Sequence, residues 1–504
     1  MTVWDTIVVG AGNAAFCAAH AAREHGANVL VLECAPEAES GGNSRFTAGA
    51  IRFAYDGVED IRALCPDLPE DQIAITDFGT YTTDQFFDDM FRVTRFRTDP
   101  ALCERLVITS RETMHWMREK GVRFMPIYGR QAFNVGGRFK FWGGLTLESW
   151  GGGPGLVDAH MEIAKATGIE VRYETRALSL LTDGHAVTGV RVRHKGEMFD
   201  LSARTVVLAS GGFQANTEMR TRYLGPGWEM ARVRGTRFNT GDGIRMATDI
   251  GASTQGNWSG CHAVGWDYNA PEFGDLDVGD GFQKHSYPWG IMVNATGKRF
   301  VDEGADFRNY TYAKYGRVIL EQPDQFAWQI FDAKVSHLLR DEYRIKRVTK
   351  VTANSLEELA PKLEGVDPVA FLDEMRRYNA AVDTDTPFDP NVKDGRGTNG
   401  MTVPKTNWAN TLDEGPYEAY QVGCGITFTF GGLRIDPETG QVLDNDHLAI
   451  PGLFAAGELV GGVFYFNYPG GTGLINGSVF GRLAGDNAGK ASVESGRLFT
   501  AANG

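Results

Sequence analysis

Asp5-Thr6-Ile7-Val8-Val9-Gly10-Ala11-Gly12-Asn13-Ala14-Ala15 carries an apolar run straight into a glycine turn, and a second run, Val29-Leu30-Val31-Leu32, ends at Glu33. The pattern predicts a strand, a tight turn and a helix over Ala14 to His25, followed by a second parallel strand. Gly10 permits the sharp exit, Gly12 lets backbone approach a pyrophosphate, and Ala15 keeps helix and sheet close. The helix start would face phosphates with unpaired N–H groups, and Glu33 stands where a ribose hydroxyl needs an acceptor. The blander alternative is an ordinary packing turn between strand and helix. The acid at the end of the second strand, about twenty residues on, favours a dinucleotide site.

Working outward, Ser40-Gly41-Gly42-Asn43-Ser44-Arg45-Phe46-Thr47-Ala48-Gly49 is a glycine-rich loop whose backbone donors suit a phosphate and flavin edge. Gly452-Leu453-Phe454-Ala455-Ala456-Gly457-Glu458 reads as a buried strand ending in glycine and an acid able to accept from ribitol hydroxyls. Two further segments belong with these: Thr205 to Gly212, and Asn467-Tyr468-Pro469-Gly470-Gly471-Thr472-Gly473-Leu474-Ile475-Asn476-Gly477.

Residues 1 to about 255 alternate strands and helices: a helix over Asp158 to Thr167, strands at Gly168 to Tyr173 and Ala177 to Leu181, and a hairpin of Gly189 to Arg193 with Glu197 to Leu201 ahead of the apolar run Val206 to Ala209. Such alternation predicts an α/β fold, a mostly parallel, Rossmann-like sheet covered by helices. From about Gly256 the texture changes to aromatic-rich, irregular sequence, with a helix at Val369 to Val382 and a polar loop from Asp383 to Gly400. The expected organisation is a cofactor-binding domain built from residues 1–255 and 407–504, with an inserted α+β capping domain at 256–406.

Composition narrows the function classes. With 504 residues and 63 glycines gathered in these loops, the chain suits backbone packed against a large cofactor. A net charge of −14 argues against nucleic acid as a partner, so an anionic substrate needs a local basic pocket. Cys17, Cys34, Cys65, Cys103, Cys261 and Cys424 show no metal or haem spacing, so no metal site is expected, and they read as free thiols of a reducing compartment. No apolar stretch has the length of a membrane span, and the first strand begins almost at Met1, so the expectation is a cytoplasmic protein that is not itself transmembrane.

Taken together, Gly10 to Ala15, Gly41-Gly42-Asn43-Ser44, Asn239-Thr240-Gly241-Asp242-Gly243, Asn294 to Glu303, Gly431-Gly432-Leu433 and Ala456-Gly457-Glu458 resemble the flavoprotein subunits of fumarate reductase and succinate dehydrogenase, a superfamily that includes ketosteroid 1-dehydrogenases. The nearest likeness is to tricarballylate dehydrogenases. The resemblance implies FAD, held non-covalently, since Ser44 and Arg45 stand where members that attach the flavin carry a histidine. It implies a cap that closes over the flavin. With the motifs above, it assigns the cofactor to Gly10, Gly12, Asn13, Ala14, Glu33, Cys34, Gly41, Gly42, Asn43, Ser44, Ala48, Gly49, Ala177, Ser210, Gly211, Gly457, Glu458, Gly473, Leu474 and Ile475.

For chemistry, the segment Arg299 to Tyr310 is the richest cluster. By resemblance Glu303 and Arg308 take the parts of a proton route, with a salt-bridged turn as the competing reading and Arg299 as a structural residue. The reductase pattern is broken elsewhere. Thr427-Phe428-Thr429-Phe430 replaces the histidine pair before Gly431-Gly432, Tyr468 replaces a carboxylate-gripping arginine, and Lys334-Val335-Ser336-His337 follows Asp332 where the acid arginine is sought. Tyr468-Pro469-Gly470 instead resembles the ketosteroid dehydrogenase loop whose tyrosine polarises a carbonyl; a phenol can donate to an enolate oxygen at neutral pH. Tyr468, Glu303 and Arg308 are therefore the catalytic candidates. Thr472, His262, His285 and Thr427 are the substrate-binding ones, with Arg234, Arg237, Tyr310 and Tyr312 behind them.

The expected activity is desaturation of a CH–CH bond beside a carboxylate or carbonyl, with hydride passing to flavin N5. Tricarballylate to cis-aconitate is the case the resemblance implies. Reduction of fumarate- or urocanate-like acceptors, a ketosteroid-like 1-dehydrogenation, and a non-catalytic flavin-binding subunit of a redox complex are the alternatives. The electron acceptor would be a separate partner, a membrane-bound redox protein among the forms it could take.

Overall fold

Glycine turns at strand ends decide where this chain can build a sheet, and the computed structural model, which describes residues 3–502 and side chains to residue 495, shows the result. The strand Trp4–Val9 pairs in parallel with Val29–Leu32 on one side and with the end of Glu197–Leu208 on the other. Glu170–Arg172 extends the sheet beyond Val29–Leu32, and Ala449–Ala455 extends it beyond Glu197–Leu208. Val29–Leu32 is buried along its whole length, as expected of a parallel strand covered on both faces. The hairpin strand and the apolar run that the sequence suggested as separate are one strand of 12 residues, Glu197–Leu208. Ser202-Ala203-Arg204-Thr205 contains no glycine or proline to break it. Its first half forms an antiparallel meander with Val187–His194 and Thr175–Thr182, and its second half enters the parallel sheet.

The two ends of the chain are joined through helices. Gly477, Gly481, Gly485 and Gly489 recur at helical i, i+4 spacing on Thr472–Ala502, facing Ala14, Ala18 and Ala22 of Asn13–Glu24. A Cβ at Gly485 would lie 2.1 Å from Ala18 O, and one at Gly481 would lie 2.4 Å from Ala14 O. Only glycine allows this approach, which brings the glycine turn of the N-terminus against the loop before the last helix.

The second sheet is organised by one strand of 17 residues, Tyr417–Leu433. Its first half pairs with Ala327–Phe331 and Lys350–Ala353, and its second half with Thr254–Asp267 and Arg232–Val233. Ile291–Val293 lies on the outer side of Ala327–Phe331, and the helix Pro368–Ala381 packs Phe371, Met375 and Tyr378 into the same core. The return to the first sheet is made by Gln441–Leu443 and Ala449–Ala455. Thus Tyr417–Leu433, counted with the returning segment in the sequence reading, pairs entirely within the second sheet. Its unbroken apolar pattern suits either sheet, so strand partners decide. Among the described residues, no helix is long and apolar enough to cross a membrane.

Candidate active site

A single long cleft runs along the carboxyl ends of Trp4–Val9, Val29–Leu32 and Glu197–Leu208 and continues beneath the second sheet. That is where an open parallel sheet presents its ligand crevice. At one end, Gly10 leaves its strand at φ +110°, and a Cβ there would lie 2.5 Å from Ala209 O. The Asn13 N–H donates to Ser44 Oγ at 3.0 Å, docking the early glycine loop on the helix start. Glu33 accepts from the Ala11 N–H at 3.0 Å and the Ala35 N–H at 2.8 Å, one bond per carboxylate oxygen. Each oxygen keeps a lone pair for a ribose hydroxyl. Further along, Glu458 accepts from the Thr429 N–H at 3.0 Å and from Gln214 Nε2 at 3.2 Å, and a Cβ at Gly212 would lie 2.3 Å from its Oε1. Buried Asn476 lines the cleft with an Oδ1 that has no partner within the protein. An elongated glycine cradle, an acceptor at the ribose end and an orphaned amide oxygen in the lining fit FAD.

Burial pushes the Glu458 carboxyl up to about 7 from an ordinary 4.5. Between these values the folded protein keeps a proton that the unfolded chain has lost, so stability falls as pH rises through that window. In FAD-free protein, Glu458→Gln should therefore have a melting temperature that gains on the unaltered protein as pH goes from 4.5 to 7. Thermal melts across that range test this, and a pH-independent difference contradicts it.

The opposite end is aromatic and basic. The Tyr312 and Tyr468 hydroxyls hydrogen-bond one another. His262 packs within 4.7 Å of the Tyr468 ring and 5.0 Å of the Tyr312 ring, with neither of its nitrogens partnered. His285 lies 4.7 Å from the Tyr312 ring, its Nε2 also without a partner. Burial holds both imidazoles well below their ordinary pKa, so they are neutral, and pushes both tyrosines up. Arg234 works against burial at both phenols, favouring the ionised form.

Tyr468 is held by its loop. Fully buried Arg52 donates from Nε to Gly470 O at 2.8 Å and from Nη1 to Gly143 O at 2.7 Å. Asn467 Nδ2 donates to Tyr310 O at 2.7 Å, and the Gly470 N–H to Asn309 O at the same distance. The Tyr-Pro-Gly loop is thereby clamped to the segment Arg308–Tyr310 from both sides.

Most sequence candidates meet in this cleft. Gly10, Gly12, Asn13, Ala14, Glu33, Cys34, Gly42, Asn43, Ser44, Ala48, Ala177, Ser210, Gly211, Gly457, Glu458, Gly473 and Leu474 line it, as do His262, His285, Thr427, Arg308 and Tyr468. Asn13 contributes backbone, since its side chain donates to Leu474 O and Ser478 Oγ. Gly41, Gly49, Ile475 and Thr472 lie behind the lining. Gly49 has a packing reason, for a Cβ there would stand 2.3 Å from Ser149 Oγ.

Glu303 is off the cleft altogether. Its carboxylate takes Arg299 Nη2 at 2.5 Å, Arg299 Nε at 3.1 Å and the Met292 N–H at 2.8 Å, which is the salt-bridged turn weighed against the proton route. Tyr312, a reserve candidate in the sequence, lines the cleft. Arg130, Asp280, Gln283 and Arg52 were missed. They occupy stretches with no motif, and only the pairing of distant segments brings them here.

The FAD binding domain family model matches residues 5–474. A probable fumarate reductase of Shewanella frigidimarina is 31% identical, aligned over 97% of this chain and 75% of its own length. Among solved structures, an open flavocytochrome c3 fumarate reductase is 29% identical with a TM-score of 0.72, covering 97% of this chain and 79% of its own. The 3-ketosteroid delta1-dehydrogenase of Sterolibacterium denitrificans shares the fold, at TM-score 0.74 and 21% identity over 97% of this chain and all of its own. This chain belongs to the FAD binding domain family within the fumarate reductase and succinate dehydrogenase flavoprotein superfamily, binds FAD, and is an FAD-dependent oxidoreductase acting on CH–CH bonds.

Proposed function

We propose that the chain is a dehydrogenase that introduces a C=C bond beside a carbonyl or carboxylate, with Tyr312 and Tyr468 as its acid-base pair. The observation that carries this is the direct hydrogen bond between their hydroxyls at the aromatic end of the cleft. Bound FAD supplies the two-electron acceptor for the hydride. Tyr468 donates to the oxygen on which enolate charge develops, and Tyr312 takes the proton from the adjacent carbon; burial holds the Tyr312 phenol above its ordinary value, and the Tyr468 hydrogen bond and Arg234 offset part of that. Neutral His262 and His285 add donors without adding charge. The reverse reaction uses the same groups in the opposite order, and the fumarate reductase relatives support that direction as a second reading. Electrons leave through a separate acceptor.

The test is anaerobic. Bleaching of the yellow holoenzyme by saturated acids or ketones supports dehydrogenation, and re-oxidation of dithionite-reduced enzyme by unsaturated ones supports reduction. No colour change in either direction across a broad panel would leave a flavin-binding subunit without this chemistry.

A further inference from the structure

Three arginines, Arg130, Arg234 and Arg308, line the aromatic end of the cleft. Arg234 contacts Asp280 Oδ1 through Nε at 2.7 Å and Nη2 at 2.6 Å, while Arg130 Nη1 reaches the other oxygen of the same carboxylate at 3.1 Å. Among the described residues, Arg308 has only Glu342, at 4.0 Å, as a counter-charge. Arg340, the next cation, is turned away onto Ala132 O and the Phe133 ring. Arg130 and Arg234 thus share one carboxylate, with Glu148 a further acid acting on Arg130, and Arg234 and Arg308 are each 8% exposed. Two guanidinium groups on one carboxylate in so closed a place leave room for a second anion.

The neutral donors point the same way. Gln283 is 1% exposed with an Nε2 that has no partner, and His285 Nε2 is unpartnered beside it; both line this end. Across the cleft the wall is Phe428, Phe430 and Phe464, which carry no charge to meet a second anion, with the tyrosine hydroxyls as neutral donors.

We propose that Arg130 and Arg234, bridged by Asp280, form the seat of a single carboxylate, so that the substrate is a monocarboxylate whose apolar remainder lies against the aromatic wall. The inference rests on the CH–CH oxidoreductase reading, in which the carboxylate, or a carbonyl beside it, activates the reacting carbons. A dicarboxylate would press its second charge onto phenylalanine, and tricarballylate would bring two charges more than the cluster can match.

Ligand binding to oxidised holoenzyme, read as perturbation of the flavin absorption, tests the seat separately from turnover. The probes are propanoate, 3-phenylpropanoate, 3-phenylpropanamide, succinate and tricarballylate. A monocarboxylate should bind about 100-fold more tightly than its amide, and more tightly than succinate or tricarballylate. Arg130→Met should cut the preference of acid over amide by about tenfold or more, and Arg130→Lys should restore part of it. Equal binding of acid and amide, tighter binding of the di- or tricarboxylate, loss of acid and amide binding together in Arg130→Met, or no acid-specific binding from propanoate to 3-phenylpropanoate each overturns the proposal. Should Arg130→Met fail to retain FAD, the acid-amide comparison on the unaltered enzyme decides. Acid-specific binding without flavin chemistry would remove the proposed reaction and leave the seat. Bleaching by uncharged ketones alone would do the opposite.

Discussion

Tyr468→Phe should lower the rate of flavin reduction by substrate about 10²–10³-fold, the usual consequence of removing one donor to developing oxyanion charge. The protein should stay yellow, because the ring remains packed against Phe428, Phe464 and His262. Tyr312→Phe should cost a similar factor, and the double variant little more than either alone. The two hydroxyls act through one shared hydrogen bond, and groups that work as a unit lose their effect together. Single-turnover bleaching under nitrogen gives the rates, and a melting curve for each variant separates chemistry from folding. A drop of less than about tenfold in Tyr468→Phe with FAD fully bound contradicts the assignment.

Glu303→Gln should do the reverse, destabilising the protein by about 3–5 kcal/mol with little change in the rate of surviving holoenzyme. Arg299 and Glu303 are both buried, and removing one charge strands the other. Arg299 would keep its bonds to Val403 O, Val301 O and Pro404 O, which compensate polarity but not charge. Replacing both partners by apolar residues, Arg299→Met with Glu303→Leu, should recover part of the loss. Denaturant unfolding of the two variants beside the unaltered protein checks the order. A stable Glu303→Gln protein with abolished flavin reduction would return Glu303 to the proton route.

These two outcomes divide residues that look alike along the chain. Glu303 and Arg308 sit five positions apart in one motif, yet Glu303 faces inward to Arg299 while Arg308 reaches the cleft. Tyr310 and Tyr312 are two apart; Tyr310 bonds to Asp89 and Gly143 O, while Tyr312 meets Tyr468. Residue type and spacing nominate such groups, but a side chain's direction depends on the backbone around it and on partners more than a hundred positions away.

What the sequence determined by itself is the cofactor half of this molecule. Gly10, Gly12 and Glu33 are legible because a strand, a turn and a helix are local structures, and Gly10 must take a φ of +110° that other residues resist. The glycine loop at 41–49 and the Gly457-Glu458 pair could be read for the same reason. Only the tertiary structure decided the reacting end. The stripe Gly477, Gly481, Gly485 and Gly489 seats the last helix on the first and carries the loop of Tyr468 into place. Arg52 clamps that loop, and Tyr417–Leu433 chooses the second sheet. Arg130 and Arg234 converge on the Asp280 carboxylate from separate segments. Each depends on long-range packing or charge compensation, and even the regular glycine spacing does not say which element it will meet.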